Sequence, residues 1–152
     1  MSMEGRLEGA GALKPRTYGM TSSRPRVLVI DDDARLRDVL GLVLADDCDV
    51  STSGSAADAL ARLRTERFDA IVCDLSMPRM GGAELHAILS DADPDAAARM
   101  IIVTGGAFSP RSEQFLAESG CPKVPKPFTP PELMEAVEVI LERRGRALRR
   151  AG

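Results

Sequence analysis

Polar side chains that could handle a charged ligand stand directly after short apolar runs of this sequence. They are Asp31, Asp32, Asp33, Asp74, Thr104 and Lys126. Carboxylates that come within several ångströms of one another repel, which raises their pKa values unless a cation lies between them. Because the set offers oxygen ligands without His or Cys, it favours Mg2+ over zinc. Asp31, Asp32 and Asp74 are therefore candidate magnesium ligands.

The same side chains could also support transfer of a phosphoryl group. A metal ion, the Thr104 hydroxyl and the Lys126 ammonium could together compensate the charge on three phosphoryl oxygens. Asp31 and Asp32 are adjacent and suited to holding the metal, which leaves Asp74 as the carboxylate that could attack phosphorus and form an aspartyl phosphate. Each residue alone is common on protein surfaces, so the prediction depends on their convergence.

Apolar patterns predict the elements that must bring these side chains together. Short apolar runs predict strands at 27–30, 49–52, 70–73, 100–103 and around Val124. Apolar residues at helical spacing predict the helices between and after them. The fourth helix is predicted at 111–119. The apolar residues of the other four are Leu36, Val39, Leu40, Val43 and Leu44 in the first, Ala59, Leu60 and Leu63 in the second, Leu85, Ile88 and Leu89 in the third, and Leu133, Val137, Ile140 and Leu141 in the last. The predicted N-caps are Asp33, Ser55 and Thr129.

Five strands alternating with five helices predict βαβ crossovers and a parallel sheet covered by helices on both faces. In such sheets, ligands bind at the carboxyl ends of the strands, near a point where the strand order reverses. All the candidate side chains would then lie at one edge of the sheet.

Composition excludes several other classes of protein. The 152 residues include three cysteines without CxxC spacing, which predicts buried thiols in a reducing cytoplasm rather than disulfides or zinc. No apolar run approaches the roughly 20 residues that cross a bilayer, so no membrane association is expected. Aromatic residues make up 3%, and residues 27–142 carry 21 acidic and 10 basic side chains. Direct binding of nucleic acid is therefore not expected, whereas cations or basic partner surfaces are.

The chain divides into three predicted regions. Residues 1–24 contain scattered Gly and Pro without apolar periodicity and are predicted to be a disordered lead. Residues 25–143 form the predicted domain. Residues 144–152 form a basic tail too short for a DNA-binding output domain.

Four segments of the predicted domain resemble a known family. They are Val-Leu-Val-Ile-Asp-Asp-Asp at 27–33, Cys-Asp-Leu-Ser-Met-Pro-Arg-Met-Gly-Gly at 73–82, Ile-Ile-Val-Thr-Gly-Gly at 101–106 and Pro-Lys-Pro-Phe at 125–128. Together they resemble the receiver domain of two-component response regulators. The resemblance implies a flavodoxin-like fold with strand order 2-1-3-4-5. The Thr-Gly-Gly segment is also similar to receivers that are attached to hybrid histidine kinases.

The resemblance also implies a role for each site residue. Asp74 would accept a phosphoryl group from a phosphohistidine on a sensor histidine kinase or phosphotransfer protein, and the domain would then signal to a downstream protein. Asp32, Asp74 and the Ser76 main-chain carbonyl would bind Mg2+ directly, and Asp31 would act through water. Thr104 and Lys126 would contact the phosphoryl group, and the peptide bond before Pro127 would be cis. A monomer or weak homodimer without separate enzymatic activity is expected.

One position departs from the family pattern. Three residues before Lys126, receivers usually carry a Tyr or Phe that reorients on phosphorylation, whereas this chain has Lys123. Lys123 is costly to bury and is expected to stay solvated. The switch is then expected to act through the loop that begins at Gly105 and Gly106, because glycines make that loop compliant.

Two other functions compete with the phosphoacceptor hypothesis. In a small phosphatase of the haloacid dehalogenase type, Asp31 would be the nucleophile and Asp33 the acid, but Asp74 would have no role. A pseudo-receiver would dock with partners without being phosphorylated. The single histidine, His86, is expected to be a packing or solvated residue.

Overall fold

The computed structural model describes residues 24–106 and 109–145. Residues 1–23 of the predicted lead and residues 146–152 of the predicted tail lie outside the described residues. The strands are β1 (Arg26–Ile30), β2 (Asp49–Ser53), β3 (Ala70–Asp74), β4 (Met100–Thr104) and β5 (Lys123–Pro125). The helices are α1 (Ala34–Leu44), α2 (Ala56–Leu63), α3 (Gly82–Ala92), α4 (Pro94–Ala97), α5 (Pro110–Glu118) and α6 (Pro130–Arg143).

The five strands form one parallel sheet in the order β2-β1-β3-β4-β5. This order confirms the predicted doubly wound topology. The strand order reverses between β1 and β3. From β1 the chain continues to β2 at one edge of the sheet, and from β3 it continues to β4 in the direction of the other edge. The carboxyl ends of these two central strands therefore open onto the same crevice.

The prediction of five helices was wrong by one within the described residues, because α4 is an additional helix of four residues. The Asp93 side chain caps it by accepting a hydrogen bond from the Ala96 N–H, and Pro94 occupies its first position. A single turn is too short to produce an apolar period. The longest described helix, α6, has 14 residues, and no helix in the described part of the chain is long and apolar enough to cross a membrane.

Successive residues of each central strand point to opposite faces of the sheet, which creates two cores. Leu28 and Ile30 pack with buried residues of α2, α3, α4 and α5. Val27 and Val29 pack on the other face with α1 and α6. Burial on both faces explains why these strands are continuous apolar runs. All three cysteines are buried free thiols, as predicted.

Two apolar residues of the predicted helical stripes are exposed rather than buried. The exposed fraction is 47% for Val39 on α1 and 40% for Ile88 on α3. A straight helix meets a sheet along a narrow line, and on α1 this line is occupied by Leu40 and Leu44, which are fully buried. Val39 lies at the margin of the apolar stripe and is left facing solvent.

Candidate functional site

Three carboxylates meet where β1 and β3 end. One oxygen each from Asp31, Asp32 and Asp74 lies within 4.8 Å of the others. They meet because β1 and β3 are paired in parallel, with Ile30 opposite Cys73, so the next residue of each strand emerges at the same edge. Asp31 and Asp74 are buried and Asp32 is exposed. The predicted acidic cluster is therefore present, with its third carboxylate open to solvent.

The Asp31 carboxylate is held in an environment that disfavours its charge. Burial raises its pKa, and the nearby Asp74 charge raises it further, while a hydrogen bond from the Asp33 N–H to Asp31 Oδ1 at 2.8 Å opposes both effects. The second oxygen, Oδ2, is buried without any hydrogen-bond partner. A buried carboxylate oxygen without a donor is costly. A hard cation shared with the other two carboxylates would satisfy it, so these residues fit Mg2+.

Asp74 combines burial with a positively charged neighbour. Desolvation raises its pKa, whereas the Lys126 ammonium, with Nζ 3.3 Å from Asp74 Oδ1, lowers it. A backbone hydrogen bond from Ser76 also lowers it. Burial has the larger effect, so the net direction is upward. Asp74 is thus a buried carboxylate that contacts an ammonium and lies close to two other carboxylates.

Thr104 and Lys126 reach this edge from β4 and from the residue after β5. Thr104 is buried, and its carbonyl accepts a hydrogen bond from the Lys126 N–H at 2.7 Å. The Lys126–Pro127 peptide bond is cis. Lys123, at the opposite end of β5, is exposed as expected for a charged side chain. The predicted residues other than Lys123 therefore converge on one edge of the sheet.

The loop after Asp74 is shaped by two glycines. A Cβ on Gly81 would lie 2.3 Å from the Leu75 carbonyl oxygen, and one on Gly82 would lie 3.1 Å from the Asp74 carbonyl oxygen. The Gly82 N–H donates to the Leu75 carbonyl at 3.0 Å. The start of α3 therefore packs backbone against backbone on the residues that follow Asp74. The sequence contained a signal for this contact in the Gly-Gly pair, but it did not identify the partner.

Arg37 is a site neighbour that the sequence analysis did not find. Its Nη1 donates to the Asp31 carbonyl at 2.6 Å, and a Cβ on Gly54 would lie 3.1 Å from the same nitrogen. Arg37 thus fixes the end of β1 from the first turns of α1. An arginine on an amphipathic helix resembles a solvated residue, so no pattern in the sequence indicates this contact.

His86 takes no part in the acidic cluster. Its ring packs edge-on against Phe115 with the centroids 5.3 Å apart, and burial lowers its pKa. These contacts agree with its interpretation as a packing residue.

Comparison with known proteins identifies the family to which this arrangement belongs. Residues 27–138 match the family described as response regulator receiver domain. The chain belongs to this family. A receiver domain protein (CheY-like) from Methanospirillum hungatei JF-1 has a similar structure, with a TM-score of 0.72 and 28% identity over 81% of this chain and 98% of that one.

Curated relatives share the receiver domain but are longer proteins. A response regulator receiver protein of Anaeromyxobacter sp. (strain Fw109-5) is 35% identical over 111 residues, which is 72% of this chain and 46% of the relative. The C4-dicarboxylate transport transcriptional regulatory protein DctD of Rhizobium meliloti (strain 1021) is 33% identical over 136 residues, which is 86% of this chain and 29% of DctD. The receiver domain therefore spans about half or less of these two relatives.

Membership of the receiver family does not favour the phosphatase alternative. That alternative needs Asp31 as the nucleophile, but Asp31 Oδ1 accepts a hydrogen bond from the Asp33 N–H and its Oδ2 is fully buried. Asp74, which had no role in the phosphatase, lies instead within the carboxylate cluster and 3.3 Å from the Lys126 ammonium.

Proposed function

We propose that this receiver domain takes a phosphoryl group onto Asp74 from a phosphohistidine of a sensor histidine kinase or a phosphotransfer protein. The observation that carries the proposal is the position of the Asp74 carboxylate. It lies 3.3 Å from the Lys126 ammonium and within 4.8 Å of two further carboxylates, at the switch point of a parallel sheet.

In the proposed reaction, an Asp74 oxygen forms a bond to phosphorus while the bond from phosphorus to the donor's histidine nitrogen breaks. The nitrogen keeps the bonding electron pair. Lys126 and Thr104 donate hydrogen bonds to the phosphoryl oxygens and compensate their charge. The product is an aspartyl phosphate.

Asp31, Asp32, Asp74 and the Ser76 carbonyl would hold Mg2+ at this edge. When bound, the ion supplies positive charge that offsets the carboxylates and the phosphoryl oxygens. The proposed Mg2+ site is supported by Asp31 Oδ2, which is buried without a hydrogen-bond partner and needs a positively charged one. A direct role for Asp32, Asp74 and Ser76 and a water-mediated role for Asp31 remain predictions from the resemblance.

Phosphorylation would be reported to a downstream protein through a change of surface rather than through an enzymatic activity of this domain. The functional unit we propose is residues 25–143. A cytoplasmic location, a monomeric or weakly dimeric state, the switch position at Lys123 and an attachment to a hybrid kinase remain predictions from the sequence.

Phosphoramidate, a small donor with a phosphorus–nitrogen bond, provides a direct test. With Mg2+ present, we expect the intact mass to increase by one phosphoryl group, and we expect hydroxylamine to remove that group because acyl phosphates are labile to it. Chelation of Mg2+ should prevent the labelling. Absence of labelling by phosphoramidate and by every sensor kinase of the source organism would instead support a docking-only pseudo-receiver.

A further inference from the structure

A cavity lies at the opposite end of the sheet from the acidic cluster. It has a volume of about 630 Å3 and is lined by Arg99, Arg143, Arg144 and Asp95, among others. Arg99 directly precedes β4, whereas Thr104 ends that strand at the acidic edge. The five residues of β4 separate the two ends by about 16 Å at about 3.3 Å per residue. The cavity is therefore distinct from the proposed phosphorylation site.

Arg99 is a buried cation whose hydrogen-bonding capacity is only partly used. The residue is 2% exposed. Its Nη1 donates to Asp95 Oδ2 at 2.6 Å, but its Nε is buried without a partner. The Nε of Arg144 is likewise buried and unpartnered. Burying an N–H group without an acceptor is costly, and an anion against the cavity lining would compensate the charge of the same guanidinium groups.

The carboxylate of Asp95 accepts hydrogen bonds from three guanidinium groups. Asp95 accepts from Arg99, from Arg67 at 3.1 Å and from Arg144 at 3.3 Å. These three contacts lower the pKa of Asp95 below its usual range. Asp95 is also 58% exposed at its side chain, so solvent weakens the compensation that it provides. A single exposed carboxylate cannot neutralise three cations.

Arg143 adds a further positive charge to the same wall. Its Nη1 donates to the Gly120 carbonyl at 3.2 Å, which is a neutral acceptor. Three arginines and one aspartate line the cavity, so positive charge is in excess. The lining of this cavity thus has the opposite sign to the acidic cluster.

We propose that this cavity binds a small molecule that carries a phosphate group, or free phosphate itself. Guanidinium groups present forked donors that match the oxygens of a phosphate and prefer a dianion to a single-charge ligand. The cavity falls within the range of on the order of 300–1,000 Å3 typical of small-ligand sites. Among the described residues, its lining contains no aromatic side chain on which a base could stack, which favours a phosphate or sugar phosphate over a nucleotide.

The test is a titration of the full chain with inorganic phosphate in the presence of EDTA, at an ionic strength held constant with sodium chloride. We expect saturable binding by calorimetry, a rise in Tm that chloride does not reproduce, and NMR shifts of the amides of residues 95–99, 119–121 and 143–144. Arg144→Gln should weaken phosphate binding about tenfold, because it removes a charge-assisted donor. Arg111→Gln, an exposed arginine on α5, is the matched control and should leave binding unchanged.

Arg99→Gln is not a suitable first variant, because the side chain is buried and its loss can unfold the domain. Arg143→Gln gives an independent second test at an exposed position and should also weaken binding. Asp74→Asn should bind phosphate as the parent does, so failure of this proposal can be distinguished from failure of the phosphoacceptor proposal.

Two further ligands decide the chemical class. If glycerol 3-phosphate binds more tightly than inorganic phosphate, the ligand of the cavity is an organic phosphate. If the two affinities are equal, the ligand is free phosphate. The proposal is overturned if succinate binds as well as phosphate, if chloride reproduces the rise in Tm, or if binding survives unchanged in both Arg144→Gln and Arg143→Gln.

Discussion

Lys126 Nζ lies 3.3 Å from Asp74 Oδ1, and this ion pair bridges two strands that are not neighbours in the sheet. Asp74 ends β3, Lys126 follows β5, and β4 runs between them. The pair therefore passes over the end of β4, where Thr104 is buried. A phosphoryl group on Asp74 would lie beside the Lys126 ammonium, and we expect the Thr104 side chain to contact it.

The first prediction concerns the accepting residue. Asp74→Asn should abolish incorporation of phosphoryl groups from acetyl phosphate, because a neutral amide is a poor nucleophile. Intact mass and peptide mapping measure this. Asp46→Asn, at an exposed aspartate after α1, should be labelled like the parent. Labelling that persists in Asp74→Asn and maps to Asp31 would contradict the assignment of Asp74 as the phosphoacceptor and support the phosphatase alternative.

The second prediction concerns the metal. Asp32→Ala should weaken Mg2+ binding, since it removes an exposed oxygen ligand from the cluster. In the absence of metal, the same variant should be somewhat more stable than the parent, because the Asp32 charge repels Asp74. Calorimetric titration and thermal unfolding in EDTA measure the two effects. Unchanged Mg2+ affinity would refute the role of Asp32.

The third prediction concerns pH. The pKa of Asp31 is higher in the folded protein than in the unfolded chain. As the pH falls, Asp31 is therefore protonated in the folded protein before it is protonated in the unfolded chain. The contribution of Asp31 to stability is therefore fully present below about pH 3.9, the unfolded pKa, and is lost as the pH rises through the folded pKa. At neutral pH without metal, Asp31→Asn should unfold at a higher Tm than the parent.

The difference in Tm between Asp31→Asn and the parent should shrink as the pH falls toward about 3.9, because the parent then protonates Asp31. Comparing the two proteins at each pH cancels the contributions of His86, Glu66 and Asp95, whose pKa values are lowered and act in the opposite direction. A saturating concentration of Mg2+ should reverse the order of stability. A pH-independent difference would mean that burial of the charge is not the cause.

The fourth prediction concerns the loop after Asp74. Gly81→Ala should destabilise the domain by about 2 kcal/mol or more, since its Cβ would lie 2.3 Å from a backbone oxygen that cannot move without shifting β3. Gly105→Ala is the matched control, because a Cβ there meets nothing within 4 Å. It should change stability by less than about 1 kcal/mol. Denaturant unfolding of both variants decides whether the backbone contact at Gly81 matters.

The fifth prediction concerns how phosphorylation reaches the surface. Lys123 is exposed, so Lys123→Ala should leave the rate of phosphorylation nearly unchanged while altering the surface that partners meet. Beryllofluoride should change hydrogen exchange from Thr104 through Gly106 and in the first turn of α5, where glycines permit movement. Unchanged exchange in a protein that is demonstrably phosphorylated would show that the signal leaves by another route.

The sequence by itself determined the parallel sheet and the acidic ends of its strands, whereas the strand order was implied by the resemblance to receiver domains. The runs at 27–30 and 70–73 are apolar at every position because both faces of a central parallel strand are buried, and such runs are visible in a single sequence. Once the strands are known to be parallel, their carboxyl ends must share an edge. That constraint places Asp31, Asp74 and Thr104 at one edge, and the strand order then makes β1, β3 and β4 neighbours.

Only the tertiary structure decided which charges are buried and what they face. Arg37, Arg99 and Arg144 are indistinguishable from solvated helix residues in the sequence, because the exposure of a long side chain depends on what packs beside it from distant segments. The same reason leaves Val39 exposed although it matches the helical period. The basic cavity joins residues of α4, of the segment after α5 and of the end of α6 that are far apart in the chain, so the excess of positive charge in its lining exists only after folding.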